Sequence, residues 1–265
     1  MQHYHFKGEE YNMKLYGDFN REDWMQALKL SKEEIPEAFI LHGEWEHQEN
    51  IALWKRILSD GQSLPEWNTV IGKYQGTRVG FSNVFGGPSA AISAHKFGII
   101  GTEKFIQTGY FGGLSHDVQY GDILIVTSAY MEDGVSQWYL PKNTQVYADQ
   151  KLVEDAIEFC EAKGYRYVTG SVMSTSAMYM ETTDIVKSWS EDGHIGVDME
   201  TATTFAIAKY FNRRAIGLLN LSDHIIQGDT FYTTTQKTRD VMDETDEKIR
   251  ALALHLASNN VNASV

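Results

Sequence analysis

The sequence predicts an α/β fold, a single domain in which a twisted sheet is covered by helices. Three observations predict it. From Phe39 onward, apolar runs of strand length alternate with segments of helical period. The 265 residues, 42% hydrophobic and 12% aromatic, are enough for one large core. No internal repeat, Pro/Ser-rich linker or break in composition divides the chain, and only 4 prolines occur in it.

Residues 1–35 are polar and aromatic, with a short helical pattern at Trp24, Leu28 and Leu30, and read as an N-terminal extension to a domain spanning 36–265. Phe39 to Leu41 is a strand and Ile51 to Leu58 a helix. Thr69 to Tyr74 and Arg78 to Val84 form a strand pair around Gln75-Gly76-Thr77. Pro88 to Phe97 is a helix with proline in its first turn, Lys104 to Thr108 and Asp122 to Tyr130 are strands, and Asp149 to Ala162 is a helix ended by Gly164. Tyr165 to Ser174 is a strand, Met199 to Phe211 a helix and Arg214 to Leu221 a buried strand. The helix from Arg239 to Leu256 carries Val241, Thr245, Ile249, Leu252 and Leu256 on one stripe, which marks a packing helix with a solvated opposite face.

Charge and composition exclude several classes of function. With 23 Lys+Arg against 36 Asp+Glu, the net charge of -13 repels nucleic acid, and no local basic cluster overrides it. One cysteine, Cys160, excludes an intrachain disulfide framework and fits a reducing compartment. The N-terminal residues lack the apolar core of a signal peptide, and no apolar run approaches the roughly 20 residues of a membrane span. A cytoplasmic location without a membrane partner is expected. The Asn262-Ala263-Ser264 sequon therefore carries no expected role.

Three segments can carry chemistry. Gly109-Tyr110-Phe111-Gly112-Gly113 follows a predicted strand, where glycines bring backbone amides close to a ligand; it is neither a Walker loop nor a dinucleotide fingerprint. A bland glycine turn is the plain alternative. In Gly196-Val197-Asp198-Met199-Glu200, two carboxylates in the first turn of a helix are ordinary dipole partners. Glu200, however, has no basic neighbour until Lys209, and a carboxylate in an apolar setting must find donors such as the two hydroxyls of a sugar diol. Ser222-Asp223-His224 ends a buried strand, where apolar surroundings raise the pKa of an acid and suit Asp223 to donate a proton; a capping role is the alternative.

With their order and spacing, these segments resemble the nucleoside phosphorylase and nucleosidase superfamily. The resemblance rests on Phe85-Gly86-Gly87-Pro88-Ser89, on Gln107 to Leu114, and on Val197-Asp198-Met199-Glu200 followed by Ser222-Asp223. It implies a nucleoside phosphorylase-like domain with a twisted central mixed sheet, a homo-oligomer, and cleavage of the bond between a base and C1′ of a ribosyl group, without cofactor or metal. Carried over residue by residue, it makes Met199 and Glu200 the ribose-binding pair and Asp223 the acid that protonates the departing purine at N7. Val197, Met178 and Tyr179 line the base pocket, Phe85 covers the ribose, and Gly112 and Ser222 complete the substrate-binding set.

Water or phosphate as the acceptor is the remaining choice. The phosphorylases of this superfamily grip phosphate with an arginine ending the strand, a hydroxyl residue in the glycine turn and an arginine in an early loop. Here those places hold Gln107, Tyr110 and His42-Gly43-Glu44-Trp45-Glu46-His47. Without arginine, and with Glu44 and Glu46 repelling it, a dianion is poorly held. Hydrolysis of a purine nucleoside or nucleotide is therefore expected, with Glu46 first, then Glu44 and His47, as the residue that activates water. Gly109 to Leu114, Gly121-Asp122, Ser222-Asp223 and Gly228-Asp229 are most similar to the catalytic domain of AMP nucleosidases. A phosphate-dependent purine or uridine phosphorylase is the alternative, and a non-catalytic nucleoside-binding protein a further one. A metal site from His42, His47, Glu44 and Glu46 fits no zinc helix spacing and is not expected.

Overall fold

The computed structural model describes residues 14–66 and 68–259. The first helix, α1 (Arg21–Leu28), is capped by Asn20, whose side chain accepts from Asp23 N. It leads to β1 (Ala38–Gly43), α2 (His47–Ile57), β2 (Ser59–Ser63), β3 (Thr69–Tyr74), β4 (Thr77–Val84), α3 (Gly86–Ile100) and β5 (Lys104–Gly113). Then follow β6 (Ile123–Glu132), α4 (Ser136–Tyr139), β7 (Gln145–Tyr147), α5 (Gln150–Lys163), β8 (Tyr167–Thr175) and α6 (Thr183–Glu191). The chain closes with β9 (Gly196–Asp198), α7 (Thr201–Tyr210), β10 (Arg214–Asp223) and α8 (Gln236–Ser258).

All of these strands belong to one mixed sheet, and β5 is its hub. β5 pairs in parallel with β1 and β10, and its last two residues pair antiparallel with β9. Because β10 also pairs with β6, β6 with β8 and β8 with β9, five strands close into a ring. On the other side, β1, β4, β3 and β2 continue the sheet as an open wing.

Side chains alternate across β5 as a strand requires: Phe105 joins the core cluster that includes residues of α3 and α7, and Ile106 the cluster shared with α2, α5 and α8. Helices thus cover both faces. Residues Thr201 to Ala208 of α7 are buried, which explains why that helix is small and apolar all round. Leu28 and Leu30, read as part of an extension, are buried in the same cluster as Phe105. Lys104, at the entry of β5, is buried too, and its ammonium donates to the carbonyls of Leu256, Ala257 and Asn259 at 2.9–3.1 Å. It satisfies the carbonyls that end α8 and lack a helical partner.

Two sequence expectations are corrected. Gly109–Gly113 is not a turn after a strand but the second half of β5. Its glycines answer crowding on both sides of β5: a Cβ on Gly109 would lie 3.0 Å from Gly43 N of β1, and one on Gly113 2.9 Å from a Leu221 methyl of β10. The helix expected from Met199 begins at Thr201, so Asp198 and Glu200 precede its first turn. β2 was not foreseen, since Ser59-Asp60-Gly61-Gln62-Ser63 is polar and exposed throughout, an edge strand without apolar alternation. The sequon at Asn262 lies outside the described residues. Among the described residues, no helix is long and apolar enough to cross a membrane.

Candidate active site

A cleft of about 850 Å³ opens at the carboxyl ends of β1, β5 and β10. This is where open parallel sheets present ligand sites. The structure brings into it Glu44, Phe85, Gly112, Met178, Tyr179, Val197, Met199, Glu200, Ser222 and Asp223. Glu46 and His47 are not among its lining residues. Glu46 is exposed at the N-cap of α2 without capping it through its side chain, and His47 begins that helix.

Glu200 is buried where β9 passes into α7. Its Oε1 accepts from Gly86 N at 2.5 Å, an amide that the left-handed Gly86 (φ 75°) aims from the start of α3. Its Oε2 packs tightly on Gly43, where a Cβ would approach it to 2.8 Å and push the carboxyl aside. Burial first, then the neighbouring Asp198, raises the Glu200 carboxyl to about 8. Asp198 itself is spent on the fold: its oxygens accept from Ser174 Oγ at 2.5 Å and from the Thr201 amide (2.9 Å) and hydroxyl. Two carboxylates two residues apart thus divide into a helix cap and a ligand-facing acid.

Asp223 reaches the cleft through a register shift in β10 between Leu221 and Asp223, a bulge that re-aims the side chain. The Ser222 hydroxyl donates to its Oδ1 at 2.5 Å, and its second oxygen has no partner among the described residues. Burial raises its pKa, the condition for a general acid. The next residue, His224, is buried with Nε2 2.8 Å from Val118 O, which pins the chain just beyond the acid.

At the β1 side of the cleft, Glu44 Oε1 accepts from the amides of Trp45 (2.7 Å) and Glu46 (3.3 Å), while burial raises its pKa. Tyr110, on β5, donates its hydroxyl to Asp246 Oδ2 at 2.5 Å, and Asn220 Nδ2 donates to Oδ1 of the same carboxylate at 2.8 Å. Burial is the main reason Asp246 rises to about 6. Gln107 faces away from the cleft: buried, it takes the Thr204 hydroxyl at 2.7 Å. His42 lies with Nδ1 2.9 Å from Thr108 Oγ1, and burial lowers it to about 4, so it is neutral. Trp45 packs on Phe85 (5.2 Å between ring centroids) and on Phe231 (5.9 Å), an aromatic wall at the mouth.

Lining acids are Glu44, Glu181, Asp198, Glu200, Asp223 and Asp229; among the described lining residues the cation is Lys187 on α6. Glu181 is the residue that sequence reasoning missed. A signal was present, a carboxylate directly after the apolar stretch Ala177-Met178-Tyr179-Met180. Among the described residues, no group of His, Cys, Asp and Glu is arranged to hold a metal ion. Cys160 is buried in a helix, and burial pushes its thiol up to about 11, a packing residue rather than a nucleophile.

An apolar cleft with convergent carboxyls at the strand ends of an α/β sheet defines a small-molecule enzyme site. The chain belongs to the phosphorylase superfamily, whose description matches residues 48–258. It is 28% identical over 202 residues to a guanosine phosphorylase of Halorubrum lacusprofundi, covering 75% of this chain and 81% of that protein. It is 27% identical over 223 residues to a DeoD-type purine nucleoside phosphorylase of Bacillus cereus, covering 82% and 93%. A crystal structure of uridine phosphorylase from Vibrio fischeri shares the fold, with a TM-score of 0.74 and 22% identity over 86% of this chain and 94% of that one. The Halorubrum and Bacillus relatives are named as phosphorylases, which backs the phosphate-dependent alternative rather than the hydrolysis expected from the sequence.

Proposed function

We propose that this protein cleaves the N-glycosidic bond of a purine nucleoside or nucleotide with water as the acceptor. The observation that carries the choice of water is the charge of the cleft. Its acceptor end holds Gly43, Glu44, Tyr110 and Glu200, with Asp246 behind the tyrosine and no arginine or lysine among the described lining residues there. A phosphate dianion there meets the Glu44 and Asp246 carboxyls without a charge-assisted donor among the described lining residues of that end, Arg250 acting on Asp246 and His42 from outside that lining.

In this reading Asp223 donates its proton to N7 as the base departs, and Glu200, with Met199 beside it, takes the ribose hydroxyls. Held hydroxyls and a protonated leaving base lower the barrier to the oxocarbenium-like sugar. Glu44 replaces Glu46 as the group that orients and deprotonates water, because Glu44 lines the cleft with a raised pKa and Glu46 lies outside it. A homo-oligomer, as the resemblance implies, and the cytoplasmic location expected from the sequence belong to the same proposal.

Phosphorolysis is the second reading, favoured by the names of the relatives. Base release assayed with and without inorganic phosphate separates the two. Equal rates with free ribose (or ribose 5-phosphate) as product support hydrolysis; strict dependence on phosphate, with a ribose 1-phosphate product, overturns it.

A further inference from the structure

Glu181 sits at the end of the cleft where the base belongs in the reading above. It follows the one-turn helix Met178–Met180, and its amide donates to Met178 O at 3.2 Å, which fixes the chain reversal into α6. The element after Asp223, Ile225–Gln227, packs on α6, and Ile225 and Ile226 join Val186 and Val197 in one small apolar cluster. This packing holds Asp223 and Glu181 at the same end of the cleft, and both line it.

Four of the other five acids named above are answered by protein donors, Glu200 by Gly86, Asp198 by Ser174 and Thr201, Glu44 by two amides and Asp223 by Ser222; Asp229, beyond the end of β10, is not one of these four. The half-buried Glu181 carboxyl has no hydrogen-bond or ion-pair partner among the described residues, Lys187 of the neighbouring helix included. An unanswered carboxyl that lines the cleft together with Met178, Val197, Ile225 and Ile226 is free to accept from a ligand.

We propose that Asp223 and Glu181 together read the N7/C6 edge of a 6-aminopurine, Asp223 donating to N7 and the Glu181 carboxylate accepting from the 6-amino group. The inference rests on the purine reading above. Adenine presents an acceptor at N7 beside a donor at the 6-amino group, whereas guanine and hypoxanthine present acceptors at both N7 and O6. Two adjacent carboxyls sharing one proton match the first pattern, because ionising both is opposed by their mutual repulsion. Burial first, then the charge of Asp223, raises Glu181 to about 7, so the shared proton rests on Glu181 in the free protein and passes to Asp223 when a 6-amino group meets Glu181. A 6-oxopurine needs a proton at both O6 and N7, and the pair holds one.

The test compares adenosine, inosine and purine riboside, the last keeping N7 but lacking a substituent at C6. The full chain is expected to favour adenosine over inosine by about thirtyfold or more in kcat/KM. Glu181→Gln, which can turn either its carbonyl or its amide to the base, should bring that ratio within about threefold, with purine riboside reading any general loss that comes through Asp223. Equal use of adenosine and inosine by the wild type overturns the proposal. So does a ratio that Glu181→Gln leaves intact, or an equal loss on all three substrates. Calorimetric binding of free adenine and hypoxanthine, to wild type and variant, reads the same discrimination without turnover. Adenine preference without base release would sink the proposed hydrolysis and keep this inference; base release without preference would do the reverse.

Discussion

The two ends of the cleft are built on different terms. At the sugar end, polar groups are answered within the protein: Glu44 by two amides, Glu200 by Gly86, Tyr110 by Asp246, and Asp246 in turn by Asn220. At the base end, Asp223 keeps one oxygen unanswered and Glu181 is unanswered altogether among the described residues. A satisfied network is rigid and costly to break, whereas an unsatisfied acid costs stability until a ligand meets it. The sugar end is therefore expected to couple activity to stability, and the base end to separate them.

The sharpest way to break this contrast is Asp223→Asn. Removing the general acid should slow base release by about a thousandfold, within the usual range for such a group. The melting temperature should hold or rise, because a buried acid with a raised pKa gives way to a neutral isostere. Turnover near the wild-type rate would make Asp223 a residue of the fold and remove the distinction between the two ends.

The next test lies at the sugar end and separates three residues that the sequence could not. Glu44→Gln should slow turnover by about a hundredfold. Glu46→Gln and His47→Gln should each retain most of the activity, since neither residue lines the cleft. Single-turnover rates measured beside substrate binding decide it; full activity in Glu44→Gln would show that water is activated from elsewhere.

How much of this was legible from the sequence follows the same division. Met199 came only from the family resemblance, whereas Glu200 and Asp223 stood out because each borders an apolar run, a sequence-scale property. The alternation of strands and helices was legible for the same reason. What failed was anything decided by packing across the sheet. Gly109 to Gly113 read as a turn because glycine is a weak strand former, yet here it admits Gly43, Val197 and Leu221 against β5. Glu46 ranked above Glu44 because spacing alone does not say which side of a loop meets the cleft. Glu181 carried a weak signal and passed unnoticed because its partner Asp223 is distant in sequence and joined to it only through the packing of α6.

Tyr110→Phe tests whether the sugar end is held together as described. Asp246 would lose the hydroxyl at 2.5 Å and keep Asn220, a charge-assisted bond lost in a buried place. A loss of about 2 kcal/mol in denaturant unfolding is expected, with inorganic phosphate still not accepted because the carboxyls remain. An unchanged midpoint would mean that the network adds nothing to stability, and newly gained phosphorolysis would assign the exclusion of phosphate to the tyrosine rather than to charge.

The smallest effect is a drift with pH, and its sign follows from Glu200. Burial first, then Asp198, raises its folded-state pKa to about 8, against an unfolded value near about 4.3. Between these values the folded protein holds a proton that the unfolded chain has released. Stability contributed by this group is therefore present below the unfolded pKa and lost as pH rises toward the folded one. The buried histidines, shifted downward, act in the opposite sense below about pH 6.5 and obscure the trend in the wild type alone. Subtracting the Glu200→Gln profile cancels them. The variant should gain on the wild type in melting temperature steadily between pH 5 and pH 8, the trend implied by a pKa in which the Gly86 amide is already counted. A flat difference would show that Glu200 ionises as an ordinary carboxylate, its burial compensated in full before any sugar hydroxyl arrives, and the sugar end would then be more completely satisfied than its hydrogen bonds indicate.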